Sequence, residues 1–185
     1  MICSIVRPVT VVDLMELGQQ RGWPNNDLSY WIGRRPKDCA DYVQDDRTHP
    51  GALVDHDVAL VVRWLDRFPS SMMPQTAVTP RDLLVRLRRH LPGKRLGTHW
   101  FATALGRHPS IGSRWCRTNA LPHPTVRRAI ALIDDPDPAV LCANWNTWCE
   151  HAALEAELRG TPDIRASLQW NACRFPGAEQ AGEAA

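Results

Sequence analysis

The chain has 185 residues, 44% of them hydrophobic, and a formal net charge of +2; that apolar content suffices for a packed core and excludes a wholly disordered chain. No apolar run approaches the roughly 18 residues needed to cross a bilayer, and Met1 to Pro8 shows no basic leader followed by an apolar core. No membrane span and no secretory signal are therefore expected, and the expected location is the cytoplasm.

Helical periodicity dominates and no alternating strand pattern appears, which predicts an all-α fold. Thr10 to Gln20 reads as a helix with Val11, Val12, Leu14, Met15 and Leu17 as its apolar positions. Asn26–Ile32 and Lys37–Val43 are short helices. A turn-rich stretch around Asp45, Asp46, His49, Pro50 and Gly51 follows, then a helix from Asp55 to Phe68. Pro69 to Pro74 reads as a linker with prolines at both ends. Thr79-Pro80 starts the next helix, with Thr79 as cap and Pro80 where a missing N–H costs nothing; it runs to about Leu91 and stops at Pro92-Gly93. Thr98–Leu105, Pro109–Arg117 and Pro124–Ile133 come next, closed by Asp134 to Pro138. Ala139–Leu158 carries Leu141, Trp145, Trp148 and Leu154 and reads as a packing or interaction helix. A shorter helix covers Asp163–Cys173, and the Gly/Ala/Glu-rich end reads as a frayed tail. The punctuation divides the chain into 1–74, 75–138, a helical segment 139–175 and a disordered tail 176–185.

Charge is distributed unevenly. Between Asp82 and Asp134 lie fifty-one residues with no Asp or Glu and with ten Lys or Arg, against about −2 before the segment and −6 after it. A field of one sign aimed at a polyanion is the electrostatic footprint of a nucleic-acid binder.

The two halves also align. At an offset of 73, Leu28 to Pro36 (LSYWIGRRP) falls on Phe101 to Pro109 (FATALGRHP), and Tyr42 falls on Trp115. Beyond a longer loop in the first copy the offset is 68, where Val58, Val62, Leu65 and Asp66 fall on Val126, Ile130, Ile133 and Asp134. A shared Gly-Arg-x-Pro with matching apolar flanks points to an internal duplication.

Each copy resembles a helix-turn-helix of the lambda-repressor/Cro-like kind, well over 81–136 and weakly over 10–69, while 139–185 match nothing of that family. In the second copy Ala102 is small where two helices cross, Leu105 closes the first helix, and Gly106 supplies the positive φ of a tight turn. Pro109 opens the next helix and Trp115 anchors it. Gly112 departs from the pattern: it stands where the motif has Val or Ile, and Ile111 lies one position earlier. That leaves two alternatives, a rotated recognition helix or a register shifted by one.

The resemblance implies a recognition helix presenting Ser110, Ser113, Arg114 and Arg117 to the major groove, with Arg114 as the principal base reader, because arginine forks to guanine O6 and N7. It places Lys94, Arg95, Thr98, Arg107 and His108 at phosphates. The first copy offers only auxiliary contacts through Arg34, Arg35 and Lys37, since Asp38, Asp41, Asp45 and Asp46 repel phosphate. The expected function is sequence-specific regulation of transcription on double-stranded DNA. The expected assembly is a homodimer on two half-sites or a chain that imitates a dimer by itself. The helix bearing Trp145 and Trp148 is a candidate for self-association or a protein partner.

Two other readings use the same surface: a DNA-binding accessory factor of a mobile element (excision, replication or partition), and an interaction module that has lost DNA binding. Neither a cofactor nor a metal is expected. The six cysteines form no CxxC pair, and Cys142 and Cys149, two helical turns apart, are about 10 Å from one another, too far to share a zinc ion. No phosphate loop, HExxH or nucleophile elbow occurs, and a loop with a helix cap accounts for His49, Asp55, His56 and Asp57. An enzyme is not expected.

Overall fold

A computed structural model describes residues 4–49, 51–71, 78–91, 96–118 and 120–170. The fold is all-α. Among the described residues the helices are α1 (Val11–Gln20), α2 (Asn25–Ile32), α3 (Pro36–Thr48), α4 (His56–Arg67), α5 (Pro80–His90), α6 (Thr98–Ala104), α7 (Ser110–Thr118), α8 (Pro124–Ile133), α9 (Pro138–Leu158) and α10 (Ile164–Ser167). The extended backbone near Thr10 and Leu53 makes only an isolated antiparallel bridge. No described helix is long and apolar enough to cross a membrane.

Local chemistry sets most boundaries. Proline occupies the first turn of α3, α5, α8 and α9, where its fixed φ suits the helix and no N–H is missed. Thr79 caps α5 by accepting the Asp82 N–H at 3.1 Å. Two boundaries differ from expectation. α3 continues past Val43 to Thr48 and closes on the His49 N–H to Asp45 carbonyl bond; Gln44 and Arg47 are good helix formers, and they carry the helix through the acids that read as a turn. The last helix is a single turn, Ile164–Ser167, ended by Leu168 in the left-handed region at φ 55°. The expected tail, much of the Pro69–Pro74 linker and the Pro92-Gly93 stop lie outside the described residues.

One hydrophobic core runs through both halves. α4 lies at its centre, with every residue from Asp57 to Leu65 buried; a helix closed off on all sides is enclosed by its neighbours. α8 packs beside it, and α9 runs across both, facing them with Leu141, Trp145, Trp148, Ala152 and Ala156. This spacing of four, three, four and four forms one helical stripe. The expected docking role of Trp145 and Trp148 is therefore corrected, because both indoles are inside. Trp145 stacks on Phe101 at 5.5 Å between centroids, and Trp148 donates its Nε1–H to the Ala104 carbonyl at 2.9 Å.

A charged cluster is built into this core. Arg63 of α4 and Glu155 of α9 are fully buried. Glu155 accepts from Arg63 Nε at 2.7 Å and from Arg159 Nε at 2.6 Å, and the Val9 N–H also donates to it at 3.2 Å. Arg63 further donates to the carbonyls of Ile5 and Arg7, both at 2.8 Å, and Arg159 to that of Val54 at 2.9 Å. The carboxylate and two guanidiniums thus tie α4, α9 and the extended segment before α1 together, with their polar atoms used on backbone that has no helical partner.

The two halves interlock through their turns. Gly33 follows α2 at φ +65° and Gly106 follows α6 at φ +75°, both in the left-handed region that glycine enters freely. A Cβ on Gly33 would stand 2.4 Å from the Thr125 backbone nitrogen at the start of α8. One on Gly106 would stand 2.7 Å from the Asp57 backbone nitrogen at the start of α4. Each turn therefore rests on the fourth helix of the other half. Arg128 adds to the contact by donating Nε–H to the Tyr30 carbonyl at 2.9 Å while its guanidinium lies 3.9 Å over the Tyr30 ring.

Candidate nucleic-acid interface

α6 and α7 cross so closely that the crossing has no room for a side chain. A Cβ on Gly112 would lie 2.0 Å from the Thr98 carbonyl oxygen and 3.1 Å from Ala102 Cβ. Small residues on both helices permit this approach, and glycine is required at position 112 because backbone occupies the space that Val or Ile would need. Gly112 and Trp115 face inward one turn apart, and Trp115 meets Phe101 edge-on at 6.5 Å.

The opposite face of α7 is exposed. Ser110, Arg114 and Arg117 follow one another at spacings of four and three and all face solvent, as the helical period requires. Neither Arg114 nor Arg117 makes an ion pair with a described residue. Ser113 is half-buried, its hydroxyl 3.3 Å from that of Thr98. His108 takes the place of a capping side chain: its Nδ1 lies 2.7 Å from Ser110 Oγ and accepts the Ser110 N–H at 3.3 Å. Thr98, His108, Ser110 and Ser113 are thus gathered at the N-terminal ends of α6 and α7. Lys94 and Arg95 lie outside the described residues.

The remaining cations of the acid-free segment divide into two sets. Arg86 pairs with Asp134 and donates to the Asp135 carbonyl, Arg88 donates to the Leu96 carbonyl at 2.9 Å, and Arg128 is held by Tyr30. Arg89 and Arg127 are exposed, as is Arg81 just before the segment. Part of the charge excess is therefore structural and part is displayed.

The turn arginines do not stand where the sequence expectation put them. Arg34 and Arg107, equivalent at the offset of 73, converge on one carboxylate. Arg34 Nη2 donates to Asp57 Oδ1 at 2.8 Å and to Asp55 Oδ2 at 2.9 Å. Arg107 Nη1 lies 3.3 Å from Asp57 Oδ2, an ion pair without hydrogen-bond alignment. The Arg34 side chain is only 9% exposed, so it is withdrawn from the auxiliary role, and Arg107 is partly committed to the seam rather than free for phosphate. Asp57 is correspondingly more than a residue of a helix-capping loop: it is buried between the two halves and neutralises both turns. Asp55 does stand at the N-cap of α4, but its carboxylate accepts from Arg34 and from Tyr42 Oη at 3.2 Å. Burial lowers the pKa of Arg34, and the attraction of Asp57, Tyr42 and Asp55 outweighs it, leaving the guanidinium above its ordinary value. His123, the residue equivalent to Asp55, caps α8 with its ring 3.2 Å from Arg34 Nη1. Burial first, then Arg34 and Arg107, push its pKa below the ordinary histidine value; a neutral ring is what accepting the Thr125 N–H requires.

α3 occupies the position in the first half that α7 has in the second, with Cys39 and Tyr42 inward where α7 has Gly112 and Trp115. Its outward residues are Lys37, Ala40, Asp41 and Gln44. Arg35 is exposed and paired with Asp38 at 2.9 Å; its hydrogen bond holds the Asp38 carboxyl below the usual carboxylate range. Among the described residues no group of three His, Cys, Asp or Glu side chains is placed to hold a metal ion. Compared with known proteins, the chain matches no family model, no curated protein and no solved structure.

Proposed function

We propose that the chain is a sequence-specific DNA-binding regulator of transcription, of the lambda-repressor/Cro-like kind, that reads the major groove of duplex DNA with α7. The observation that carries this reading is the outward face of α7, where Ser110, Arg114 and Arg117 stand exposed and the two arginines have no ion-pair partner among the described residues. Arg114 is the base reader, forking to a guanine edge, with Ser113 and Arg117 beside it. Thr98 and His108, at the starts of α6 and α7, meet flanking phosphates with the amide ends of those helices. The displayed cations Arg89 and Arg127, together with Arg81, add sequence-independent attraction that weakens with salt.

Selection of bound sequences from random duplex DNA tests the reading. It is expected to enrich a defined motif, and Arg114→Ala is expected to weaken binding to that motif by about 1–3 kcal/mol, the size of one bidentate base contact. Arg89→Ala is expected to weaken all duplexes alike and to reduce the salt dependence by about one phosphate contact. No enrichment, together with no salt-dependent affinity for any duplex, overturns the reading in favour of an interaction module.

A further inference from the structure

The contacts between the halves are reciprocal. The turn at Gly33 seats on Thr125 and the turn at Gly106 seats on Asp57, and residues 57 and 125 are themselves equivalent at the offset of 68. Residue i touching j while the counterpart of i touches the counterpart of j is the signature of an isologous two-fold interface, here closed within one chain. The surfaces through which two separate copies would pair at these turns are already filled from inside.

About that local two-fold, α3 and α7 are counterparts, as the two reading helices of a dimeric helix-turn-helix protein are. Their outward residues are not alike. Lys37 stands at the place of Ser110, Ala40 at that of Ser113, Asp41 at that of Arg114 and Gln44 at that of Arg117. All four first-half residues are exposed, as are Ser110, Arg114 and Arg117, while Ser113 is half-buried, so at three of the four positions the difference lies at the surface and not in the packing. A carboxylate replaces a guanidinium at the central reading position, and the negative group faces the phosphates that the arginine would approach.

We propose that one copy of this chain binds duplex DNA as a built-in dimer of unequal halves, so that its target is a non-palindromic site with a single half-site read by α7 and no second chain bound. This rests on the DNA-reading role given above. A symmetric dimer imposes an inverted repeat because both of its reading helices are the same; here the two-fold of the backbone remains while the reading chemistry is present once.

The test uses the full chain and two measurements. Wild-type protein is put through selection from random duplexes, and the mass of its complex with the selected duplex is determined by sedimentation. The selection is repeated with α7's outward face transplanted onto α3 (Lys37→Ser, Ala40→Ser, Asp41→Arg, Gln44→Arg), with circular dichroism confirming that the variant is folded. Wild type is expected to yield an asymmetric motif and a complex of one chain per duplex. The transplanted variant is expected to yield an inverted repeat of the same half-site, bound about 5- to 150-fold more tightly, the gain expected of one added bidentate contact. Two wild-type chains on an inverted repeat would overturn the proposal while leaving DNA reading intact, and this arm needs no variant to fold. A folded variant that selects only the wild-type motif would likewise overturn it. Enrichment of nothing by either protein refutes the DNA-reading role itself, and the proposal with it.

Discussion

Glu155→Gln removes one negative charge from the core and almost no volume. The wild-type carboxylate accepts from Arg63 and Arg159 at 2.7 and 2.6 Å and from the Val9 N–H at 3.2 Å. Arg63 is fully buried and Arg159 is 7% exposed. The amide keeps one acceptor oxygen but turns an NH2 toward a guanidinium, and two enclosed cations lose the carboxylate they share. Breaking a buried pair from one side costs about 3–5 kcal/mol, a large share of the roughly 5–15 kcal/mol that holds a domain folded. With a urea m-value of about 1–3 kcal/mol per molar, the midpoint should fall by about 2 M, followed through tryptophan fluorescence. Glu150→Gln is the comparison: its pair with Arg67 is 3.4 Å long and Glu150 is 67% exposed, and such pairs contribute about 0–1 kcal/mol. If the two variants unfold at the same urea concentration, the buried triad does not hold α4, α9 and the first extended segment together, and the reasoning fails.

Two further outcomes can be checked by unfolding. Gly112→Ala gains about 1 kcal/mol of helix propensity but places a Cβ 2.0 Å from the Thr98 oxygen, so α6 and α7 must separate; overpacking of this kind costs about 1–3 kcal/mol. A lower melting temperature is expected, and a higher one would contradict the close crossing. His151 is buried against the edge of Trp64, 6.3 Å between centroids, with neither ring nitrogen hydrogen-bonded to a described residue. Burial, reinforced by Arg67 and Arg63, pushes its pKa down to about 4. Between the unfolded value near 6.5 and that folded value only the unfolded chain takes the proton. Stability is therefore complete above about pH 6.5 and is lost as pH falls toward 4, by about 3 kcal/mol at 1.36 kcal/mol per unit. His123 titrates in the same direction, so the comparison is between wild type and His151→Phe from pH 7 to 4.5; equal losses in both would refute the assignment.

The helices were legible because their ends carry chemistry that acts locally. Thr79-Pro80 marks the start of α5 and Pro124 that of α8, and neither depends on a distant residue. α3 ran past its expected end because helix propensity in Gln44 and Arg47 outweighed nearby turn formers. The face of α7 was legible from its period once Trp115 was taken as the inward residue, and Ser110, Arg114 and Arg117 do stand outward. Arg34 and Arg107 show where such reading stops. As sequence they are two basic turn residues, and their solvent exposure depends on Asp57, which lies 23 residues from Arg34 and belongs to a helix that meets both turns only after the halves pack. The equivalence of the two arginines was the available signal, since residues repeated at a turn can serve a shared seam. Arg63 gave no such signal: its partner Glu155 is 92 residues away. The helix of Trp145 and Trp148 read as either a packing or an interaction helix because the residues that cover the two indoles, Phe101 and Ala104, come from a different segment.

The seam between the turns is also where covalent linkage has its largest consequence. In a pair of identical subunits any residue near the axis occurs twice, so an acid placed to neutralise one turn brings a second acid close to it, and each substitution must suit both sides at once. A single chain has no such constraint. Asp57 lies on one side of the seam and the neutral Thr125 on the other, with the Thr125 hydroxyl bonded to the Gly33 carbonyl at 3.2 Å. One carboxylate can then serve two guanidiniums without facing its own likeness. The sides of the joint are free to diverge one residue at a time while the backbone arrangement stays paired.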